Sequence, residues 1–421
     1  MRPFRSLKAF DALRERNYRI LWISTVVTSG AMQMETVVLS WYILQVTGSP
    51  FLVGLLTAFR TGATMFGTVA GTLADRMSRK GLVMADQIIM VLVAAIMIVL
   101  LVTKTIQPWH VFAGAAVTGL ARVFDQPARQ ALMADSVGPE KLTNAIGLNL
   151  VGMNAMWAVG PLLAGAIYAM AGPEGGYTAL LLCYLLSAVF LIFVRIKGSS
   201  QRVTDESMWR TMWTGVTYIR GKGLLISALI MAGIANLTAF PFLFTLMPVY
   251  AEKTLGTDST GFGLLLSAVG VGTIIGALVV TVQPDMRHMG RLMALAMFLW
   301  HLSCVAVVFT DSLALALPLI VFNGAMQSIS MATIQTLLLG TAAPEYRGRV
   351  LGLRSLAVYP LPIGSTIVGW MIGLNGVPAT TLTTALFGSL LVWGTVLALP
   401  VTWKVLRSQA QPPAQALPKA T

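Results

Sequence analysis

The sequence predicts an all-α membrane protein with twelve transmembrane helices in two pseudo-symmetric bundles of six. Of its 421 residues, 56% are hydrophobic and only 11% are charged, and the mean hydropathy is +0.77. Soluble domains carry roughly 25% charged residues, and a helix that crosses a bilayer needs about 20 apolar residues. A chain of this length and composition therefore accommodates about twelve spans joined by short loops.

The elements follow one another in the order that such a fold requires. Residues 1–19 alternate aromatic and basic side chains at helical spacing, which predicts an amphipathic helix on the membrane surface. The first bundle then occupies residues 20–195, a polar cytoplasmic connector 196–223, and the second bundle 224–404, while the proline-containing stretch 405–421 is predicted to be a disordered tail. The individual spans are expected at about 20–45, 51–74, 82–103, 108–131, 143–171, 176–195, 224–251, 259–283, 290–310, 313–337, 350–374 and 380–404.

The distribution of positive charge predicts which side of the membrane each loop faces. With both termini inside, 25 of the Lys and Arg residues fall in cytoplasmic segments and only two, Lys104 and Lys253, in outer loops. Cytoplasmic loops carry the excess of cations in membrane proteins. Both ends of the chain are therefore expected in the cytoplasm.

The two halves of the sequence also repeat in part. Pro139-Glu140 and Gly147-Leu148 recur 205 residues later as Pro344-Glu345 and Gly352-Leu353. Together with the span count, this supports two six-helix halves related by an axis along the membrane normal, with a substrate cavity between them.

A polar decapeptide, Gly71-Thr72-Leu73-Ala74-Asp75-Arg76-Met77-Ser78-Arg79-Lys80, separates the second and third apolar runs. A connection this short must be a tight hairpin at the membrane surface, because backbone groups in lipid need partners. The stretch resembles the G-x-L-a-D-r-x-G-R-k signature between the second and third helices of the major facilitator superfamily of transporters, with Ser78 in place of a glycine. The resemblance implies the twelve-helix fold and transport by alternating access.

Further stretches resemble the drug and siderophore efflux branch of that superfamily, which includes the enterobactin exporter and macrolide efflux proteins. These are Phe124–Leu132, Leu142–Ile146, Leu44–Pro50 and Arg347–Val350. In the fifth span, Gly160, Pro161 and Gly165 resemble the antiporter signature G-P-x-x-G-G, with Ala164 replacing one glycine. The resemblance implies a proton-coupled exporter of drug-like or siderophore-like molecules in a bacterial cytoplasmic (inner) membrane. The alternative is an uptake symporter or facilitator for a metabolite or lipid.

Two ionisable residues near mid-membrane are the candidates for proton coupling and substrate binding. Glu35 lies ~22 Å into the first span from the inside and Arg60 ~14 Å into the second from the outside. In a core about 30 Å thick these depths nearly coincide, so the two residues are expected to pair. Charges within a membrane mark substrate or proton paths by default, although a purely structural ion pair is the alternative. Arg60 suits an anionic ligand and Glu35 a cationic one, so the substrate's charge stays open.

A second group of charges is predicted near the cytoplasmic surface, with Asp86 and Arg122 as a pair. The family resemblance implies that this cluster latches the inner gate; direct proton handling by Asp125 or Asp86 is the alternative. Its members are Gly71, Asp75, Arg76, Arg79, Asp86, Arg122, Asp125 and Arg129.

Polar and aromatic residues inside the spans are candidates for an amphiphilic cavity lining. They are Gln33, Trp41, Asn149, Asn154, Trp157, Asn236, Phe240, Asn323, Gln327 and Tyr359. His301 is interpreted as a packing residue rather than a proton relay.

The sequence offers no pattern for other functions. The two cysteines and three histidines lack metal-ligand spacing, and no constellation of catalytic groups or nucleotide motif occurs. No basic soluble face suits nucleic acid. We therefore expect neither an enzyme nor a metal or cofactor site, but a monomer that works with protons, the lipid bilayer and a small-molecule substrate, with the proton gradient as its energy source.

Overall fold

The computed structural model describes residues 8–66, 77–195, 208–282 and 288–404, and no residue within these ranges lies in a strand. The predicted all-α class is therefore confirmed for this part of the chain. Several expectations lie outside the described residues: the first seven residues, the candidates Gly71, Asp75 and Arg76, residues 196–207 of the connector, and the tail 405–421.

The first half of the chain, up to residue 195, begins with a short 3-10 helix, Lys8–Arg14. The helices that follow are α1 (Arg16–Thr47), α2 (Pro50–Gly62, followed by a 3-10 turn Ala63–Phe66), α3 (Arg79–Val102), α4 (Pro108–Asp135) and α5 (Leu142–Ile192).

The second half starts with α6 (Met208–Ile219), which lies within the predicted connector 196–223. It continues with α7 (Gly223–Ile234), two π-helical turns (Ala235–Ala239 and Phe242–Leu246), α8 (Met247–Lys253), α9 (Ser259–Val282), α10 (Met289–Val308), α11 (Leu313–Thr341), α12 (Arg347–Leu356) and α13 (Pro360–Ala398).

Within the described residues, seven helical stretches are long and apolar enough to cross a membrane. They are Arg79–Val102, Pro139–Ile192, Gly223–Lys253, Ser259–Val282, Met289–Val308, Leu313–Thr341 and Pro344–Ala398. Two of them measure 54 and 55 residues, far more than the ~20 residues that one crossing takes.

The longest helix, α5, folds back on itself at Gly172. This glycine has φ +65°, a conformation that side chains with a Cβ rarely adopt. The Tyr18 hydroxyl donates to Ala145 O on the first arm (2.7 Å), whereas Ser24 contacts Ser187 on the second arm (2.8 Å). Both arms therefore lie along α1. In α13, Gly376 (φ +75°) makes the equivalent break.

The turn between α1 and α2 shows how local sequence ends one helix and starts the next. Gly48 closes α1 in the left-handed region (φ +60°), and its N–H donates to Leu44 O. Ser49 then caps α2 by accepting from the Leu52 N–H, and Pro50 occupies the first turn, where its missing N–H costs no hydrogen bond. This turn marks what we call the Pro50 end of the molecule; the opposite end, where α4 meets α5, is the Lys141 end.

The two halves approach closely at the Pro50 end because glycines remove side chains from the interface. A Cβ on Gly54 would lie 2.2 Å from Ser365 O, and one on Gly369 would lie 2.5 Å from Pro50 O, so α2 and α13 touch backbone to backbone. Trp41 of α1 also stacks on Phe262 of α9, with ring centroids 5.6 Å apart. These contacts close the Pro50 end of the interface between the halves.

Candidate transport site

Glu35 is the centre of a buried polar cluster inside the first half of the chain. It is 4% exposed on α1 and forms an ion pair with Arg122 of α4. The Tyr184 hydroxyl, from the second arm of α5, donates to the same carboxylate at 3.0 Å, and Thr118 donates at 3.4 Å. The cluster therefore ties three helices together around one carboxylate.

The predicted pairing of Glu35 with Arg60 is wrong: among the described residues, the ion partner of Glu35 is Arg122. Side chains in a helix tilt toward its N-terminus, and α1 runs antiparallel to α4, since Arg129 lies near Ser24 while Arg122 meets Glu35. The Glu35 and Arg122 side chains therefore lean toward each other along the membrane normal.

The Arg60 side chain leans in the opposite direction to that of Glu35. It begins at nearly the depth of Glu35, but on α2 its side chain tilts toward the Pro50 end while that of Glu35 tilts toward the Lys141 end. Its guanidinium donates to Thr36 Oγ1 at 3.1 Å. Equal depths of two Cα atoms therefore do not predict an ion pair, because the direction of each helix decides which way its side chains lean.

The expected pair of Asp86 with Arg122 is also not formed. Asp86 is 3% exposed on α3 and accepts from the Gln87 side chain at 2.9 Å, while its other carboxylate oxygen has no hydrogen-bond partner. Because Arg122 turns to Glu35, Asp86 remains a buried carboxylate without an ion partner among the described residues.

The other predicted members of the cytoplasmic charge cluster form separate pairs. Arg129 and Asp125, one turn apart on α4, make three hydrogen bonds of 2.9, 3.0 and 3.2 Å in a buried setting. Arg79, at the start of α3, pairs with Asp135 at the end of α4. These members of the predicted cluster thus form two separate ion pairs toward the Lys141 end, one within α4 and one between α3 and α4.

A central cavity of about 580 Å³ lies between the two halves. Its wall includes Arg60 and Arg122 and the aromatic side chains Trp157, Phe244 and Tyr359. It reaches Arg122 but not Glu35, which lies behind Arg122. The remaining wall residues are Met32, Gln33, Thr36, Thr57, Thr61, Thr64, Gly119, Val123, Gln126, Pro127, Gly352, Ser355 and Val358.

Of the predicted lining residues, Gln33, Trp157 and Tyr359 face this cavity. Asn149 lines a smaller cavity of about 160 Å³ inside the first half, between α1, α4 and α5. Asn154 lies on α5 but is absent from the walls of both cavities.

The other predicted lining residues do not contact the cavity, and most of them pack in the helix core. Asn323 donates to Ser303 at 2.8 Å, and Asn236 donates to Ala232 O at 2.9 Å. Trp41 packs on Phe262, and Phe240 on Trp300 with centroids 5.1 Å apart. Gln327 is 5% exposed. Composition could not separate these residues from lining residues, since both are polar or aromatic groups within apolar helices.

One feature of the cavity had a sequence signal that was missed. Thr57, Arg60 and Thr61 of α2 and Thr64 of the 3-10 turn that follows it are spaced three and four positions apart, which places them on one helix face. A polar stripe on an otherwise apolar helix predicts a face turned away from lipid. By contrast, Tyr184 and Thr118 stand within apolar runs without any distinguishing pattern.

The Gly160-Pro161 segment of α5 packs against α9 across the interface of the halves. A Cβ on Gly165 would lie 2.3 Å from Ser259 O, and the Ser259 hydroxyl donates to Gly165 O at 2.9 Å. The Leu162 N–H donates to the Ser267 hydroxyl at 3.0 Å. The glycines thus allow backbone contact, and two hydrogen bonds between side chains and backbone cross the interface.

His301 on α10 is 1% exposed, and both of its ring nitrogens have partners. Nε2 lies 2.8 Å from Thr238 Oγ1 and Nδ1 lies 2.8 Å from Met297 O. This satisfied, buried arrangement fits the packing role expected from the sequence.

The fold of this protein is shared by several solved structures. Solved structures similar to it include a bacterial homologue of the human lysosomal transporter Spinster in an inward-facing, unoccupied conformation (TM-score 0.67, 15% identity, covering 92% of this chain and 95% of that one). Another is a POT family transporter (TM-score 0.72, 11% identity, covering 92% and 97%). At these identities the likeness establishes the fold alone.

Several transporters are similar to this chain in sequence. The staphyloferrin A transporter of Staphylococcus aureus is 23% identical over 81% of this chain and 86% of its own length. Macrolide efflux protein A of Streptococcus pyogenes is 22% identical over 83% and 88%. A Na⁺, Li⁺, K⁺/H⁺ antiporter of Planococcus maritimus is 24% identical over 53% and 57%.

The protein is therefore a multi-pass membrane transporter of the major facilitator class and not an enzyme. Residues 7–420 match the transmembrane secretion effector family (MFS_3), and the chain belongs to that family. The resemblance to the efflux and siderophore branch, inferred from short sequence stretches, is confirmed.

Proposed function

We propose that this protein is a proton-coupled exporter of a drug-like or siderophore-like small molecule, working by alternating access. The observation that carries the proposal is the position of Arg122, which is bonded to the buried carboxylate of Glu35 and also forms part of the cavity wall. One side chain thereby connects the group that can bind a proton with the space that can hold a substrate.

The coupling step follows from charge balance. With Glu35 ionised, Arg122 is held by its carboxylate and by the Tyr184 hydroxyl. Protonation of Glu35 removes the negative charge, and Arg122 is then free to turn toward the cavity. A buried cation without its partner is strongly disfavoured, so proton loading changes which arrangement of the two halves is stable.

The proposed layout is twelve crossings in two bundles, with both termini in the cytoplasm. The backward folds of α5 at Gly172 and α13 at Gly376 support this count, because each then supplies two crossings. The excess of cations at the Lys141 end supports the orientation. The cavity would then communicate with the cytoplasm, since its wall includes Gln126 and Pro127 of α4 while glycine-mediated contacts close the Pro50 end.

Proton-coupled uptake is the second candidate, and one observation favours it. Because Arg122 is shared between Glu35 and the cavity, protonation of Glu35 and binding of an anion at Arg122 reinforce each other. Ligands that bind cooperatively travel together, as in a symporter. For exchange, proton and substrate must instead be loaded in different conformations.

The test uses purified protein in liposomes with a luminal pH indicator. A panel of dyes and siderophores is added under a proton gradient to the wild type, to Glu35→Gln and to the exposed control Glu140→Gln. We expect a substrate-dependent pH change with the wild type and the control and none with Glu35→Gln. The sign of the change separates exchange from symport.

A Glu35→Gln variant that still couples transport to protons would contradict the proposal. Glu35 and Arg122 would then be a structural pair, and the proton site would have to be sought at Asp125, Asp86 or His301.

A further inference from the structure

The wall of the central cavity carries positive charge. Two guanidinium groups, those of Arg60 and Arg122, form part of its wall, and no Asp or Glu belongs to the wall among the described residues. Glu35, which could have served a cationic ligand, lies behind Arg122. The residue types left the sign of the ligand's charge open, because Arg60 suits an anion and Glu35 a cation. The geometry favours an anion, since the charged groups in the cavity wall among the described residues are positive.

Arg60 is the less satisfied of the two cations. Among the described residues, its one hydrogen bond is to a neutral hydroxyl, that of Thr36, and its buried Nε has no partner. No carboxylate lies within ion-pair distance of Arg60 among the described residues. Glu35 acts on Arg60 only from a longer distance. A buried guanidinium without a carboxylate in direct contact is costly, and an anion entering the cavity would provide that contact.

Arg122 lies close to Arg60 along the cavity wall. The backbones of α2 and α4 touch where a Cβ on Gly119 would lie 2.4 Å from Arg60 O, and Arg122 follows Gly119 by three positions. Residues three apart share a helix face. Arg60 can therefore hold an anion while the pair of Arg122 and Glu35 stays intact, and Arg122 can join it once Glu35 is protonated.

The rest of the wall suits a ring-bearing body. Trp157, Phe244 and Tyr359 contribute flat apolar faces, while threonines of α2 and Gln33 offer hydrogen bonds. A volume of about 580 Å³ falls in the range of drug-sized sites, roughly 300–1,000 Å³.

We propose that the central cavity binds an amphiphilic organic anion, whose acidic group is anchored by Arg60 beside Arg122 and whose ring system packs against Trp157, Phe244 and Tyr359. This inference rests on the proposed transport function for its context, but not on the direction of transport or on proton coupling.

The first experiment measures equilibrium binding to purified protein in nanodiscs, at fixed pH and without a gradient. Three radiolabelled probes share one ring system: 2-naphthylacetate (anionic), 2-naphthylacetamide (neutral) and (2-naphthylmethyl)trimethylammonium (cationic). We expect the anion to bind at least ~10-fold more tightly than the cation. Arg60→Gln should abolish most of that preference, whereas Lys104→Gln, which removes an equal charge from an outer loop, should not alter it. Equal or better binding of the cation, or an unchanged preference in Arg60→Gln, would overturn the proposal.

A second experiment reads the cavity's charge without requiring any ligand to bind. Thr64 lines the cavity one turn from Arg60, so Thr64→Cys in a Cys183→Ala, Cys304→Ala background presents a thiol there. Its reaction rates with an anionic sulfonatoethyl and a cationic trimethylammonioethyl methanethiosulfonate are compared. We expect the ratio of anionic to cationic rate to fall by roughly tenfold when Arg60→Gln is added, and to stay constant with Lys104→Gln. A ratio that ignores Arg60 would contradict the proposal, even if none of the naphthyl probes binds.

The outcomes separate this inference from the proposed function. Anion preference through Arg60 with no proton movement in liposomes leaves the inference standing and rejects proton coupling. Proton-coupled transport of cations with no effect of Arg60→Gln rejects the inference alone.

Discussion

Arg122 on α4 pairs with Glu35 on α1, 87 positions earlier in the chain, and the same guanidinium also borders the central cavity. Glu35 is 4% exposed, so its carboxylate has no bulk water to replace Arg122. The pair therefore contributes to stability as well as to the proposed coupling.

A double-mutant cycle tests how strongly the two residues depend on each other. Arg122→Met leaves the Glu35 carboxylate buried without a cation and should lower the free energy of unfolding by about 3–5 kcal/mol. Adding Glu35→Gln should restore more than half of that loss, because no unpaired charge remains. Unfolding midpoints of the wild type, both single variants and the double variant provide the measurement; additive effects would argue against a direct pair.

A second prediction concerns the close contact of α5 with α9. Gly165→Ala places a Cβ 2.3 Å from Ser259 O, and should destabilise the protein by about 1–3 kcal/mol through overpacking. Gly147→Ala is a matched control on the same helix, since nothing lies within 4 Å of its Cβ position. It should be neutral or stabilising by up to about 1 kcal/mol. Thermal unfolding of both variants checks this, and equal losses would contradict it.

His301 should matter for stability and not for coupling. Replacing it with Gln disturbs the contacts to Thr238 and to Met297 O in a buried site, which should cost about 1–3 kcal/mol. The number of protons moved per substrate should remain that of the wild type. Luminal pH and labelled-substrate uptake, recorded on the same liposomes, give that ratio; a changed ratio would point to His301 as a proton site.

If both proposals hold, transport should carry net charge. Exchange of an inward proton for an outward monovalent anion moves two charges in the same electrical direction, worth about 4.6 kcal/mol per 100 mV. Proton–anion symport moves none. Export from liposomes clamped with potassium and valinomycin should therefore accelerate with membrane potential, and a rate that is independent of potential would favour symport.

The surface pair of Lys141 and Glu15 should behave differently from the buried one. The Glu15 carboxylate accepts a hydrogen bond from Lys141 at 2.5 Å and raises the pKa of Lys141 above its usual 10.5. A raised lysine pKa gives a stabilising contribution that is fully present below about pH 10.5 and is lost as the pH rises through the folded-state value. Lys141→Gln should thus leave the pH dependence of the unfolding midpoint unchanged between pH 6 and 9; a slope there would contradict this assignment.

Much of the fold could be predicted from the sequence because a bilayer leaves few choices. Backbone groups in lipid must bond within their own segment, so long apolar runs become helices. Glycines placed the main turns: Gly48 ends α1, and Gly172 and Gly376 fold α5 and α13 back, all with positive φ. The composition also identified the intramembrane charges, since charged residues are rare there.

Which of those charges meet was decided only by the tertiary structure. Side chains of antiparallel helices lean in opposite directions along the membrane normal. Glu35 and Arg60 start at matching depths, so their side chains lean apart, whereas those of Glu35 and Arg122 lean toward each other and form the pair. The same geometry places Glu35 behind Arg122 and leaves Arg60 facing the cavity. The residue types and their order thus determined a helical membrane transporter with a few buried charges. Helix direction and packing determined the partners of those charges and placed Arg60 and Arg122 in the wall of the central cavity.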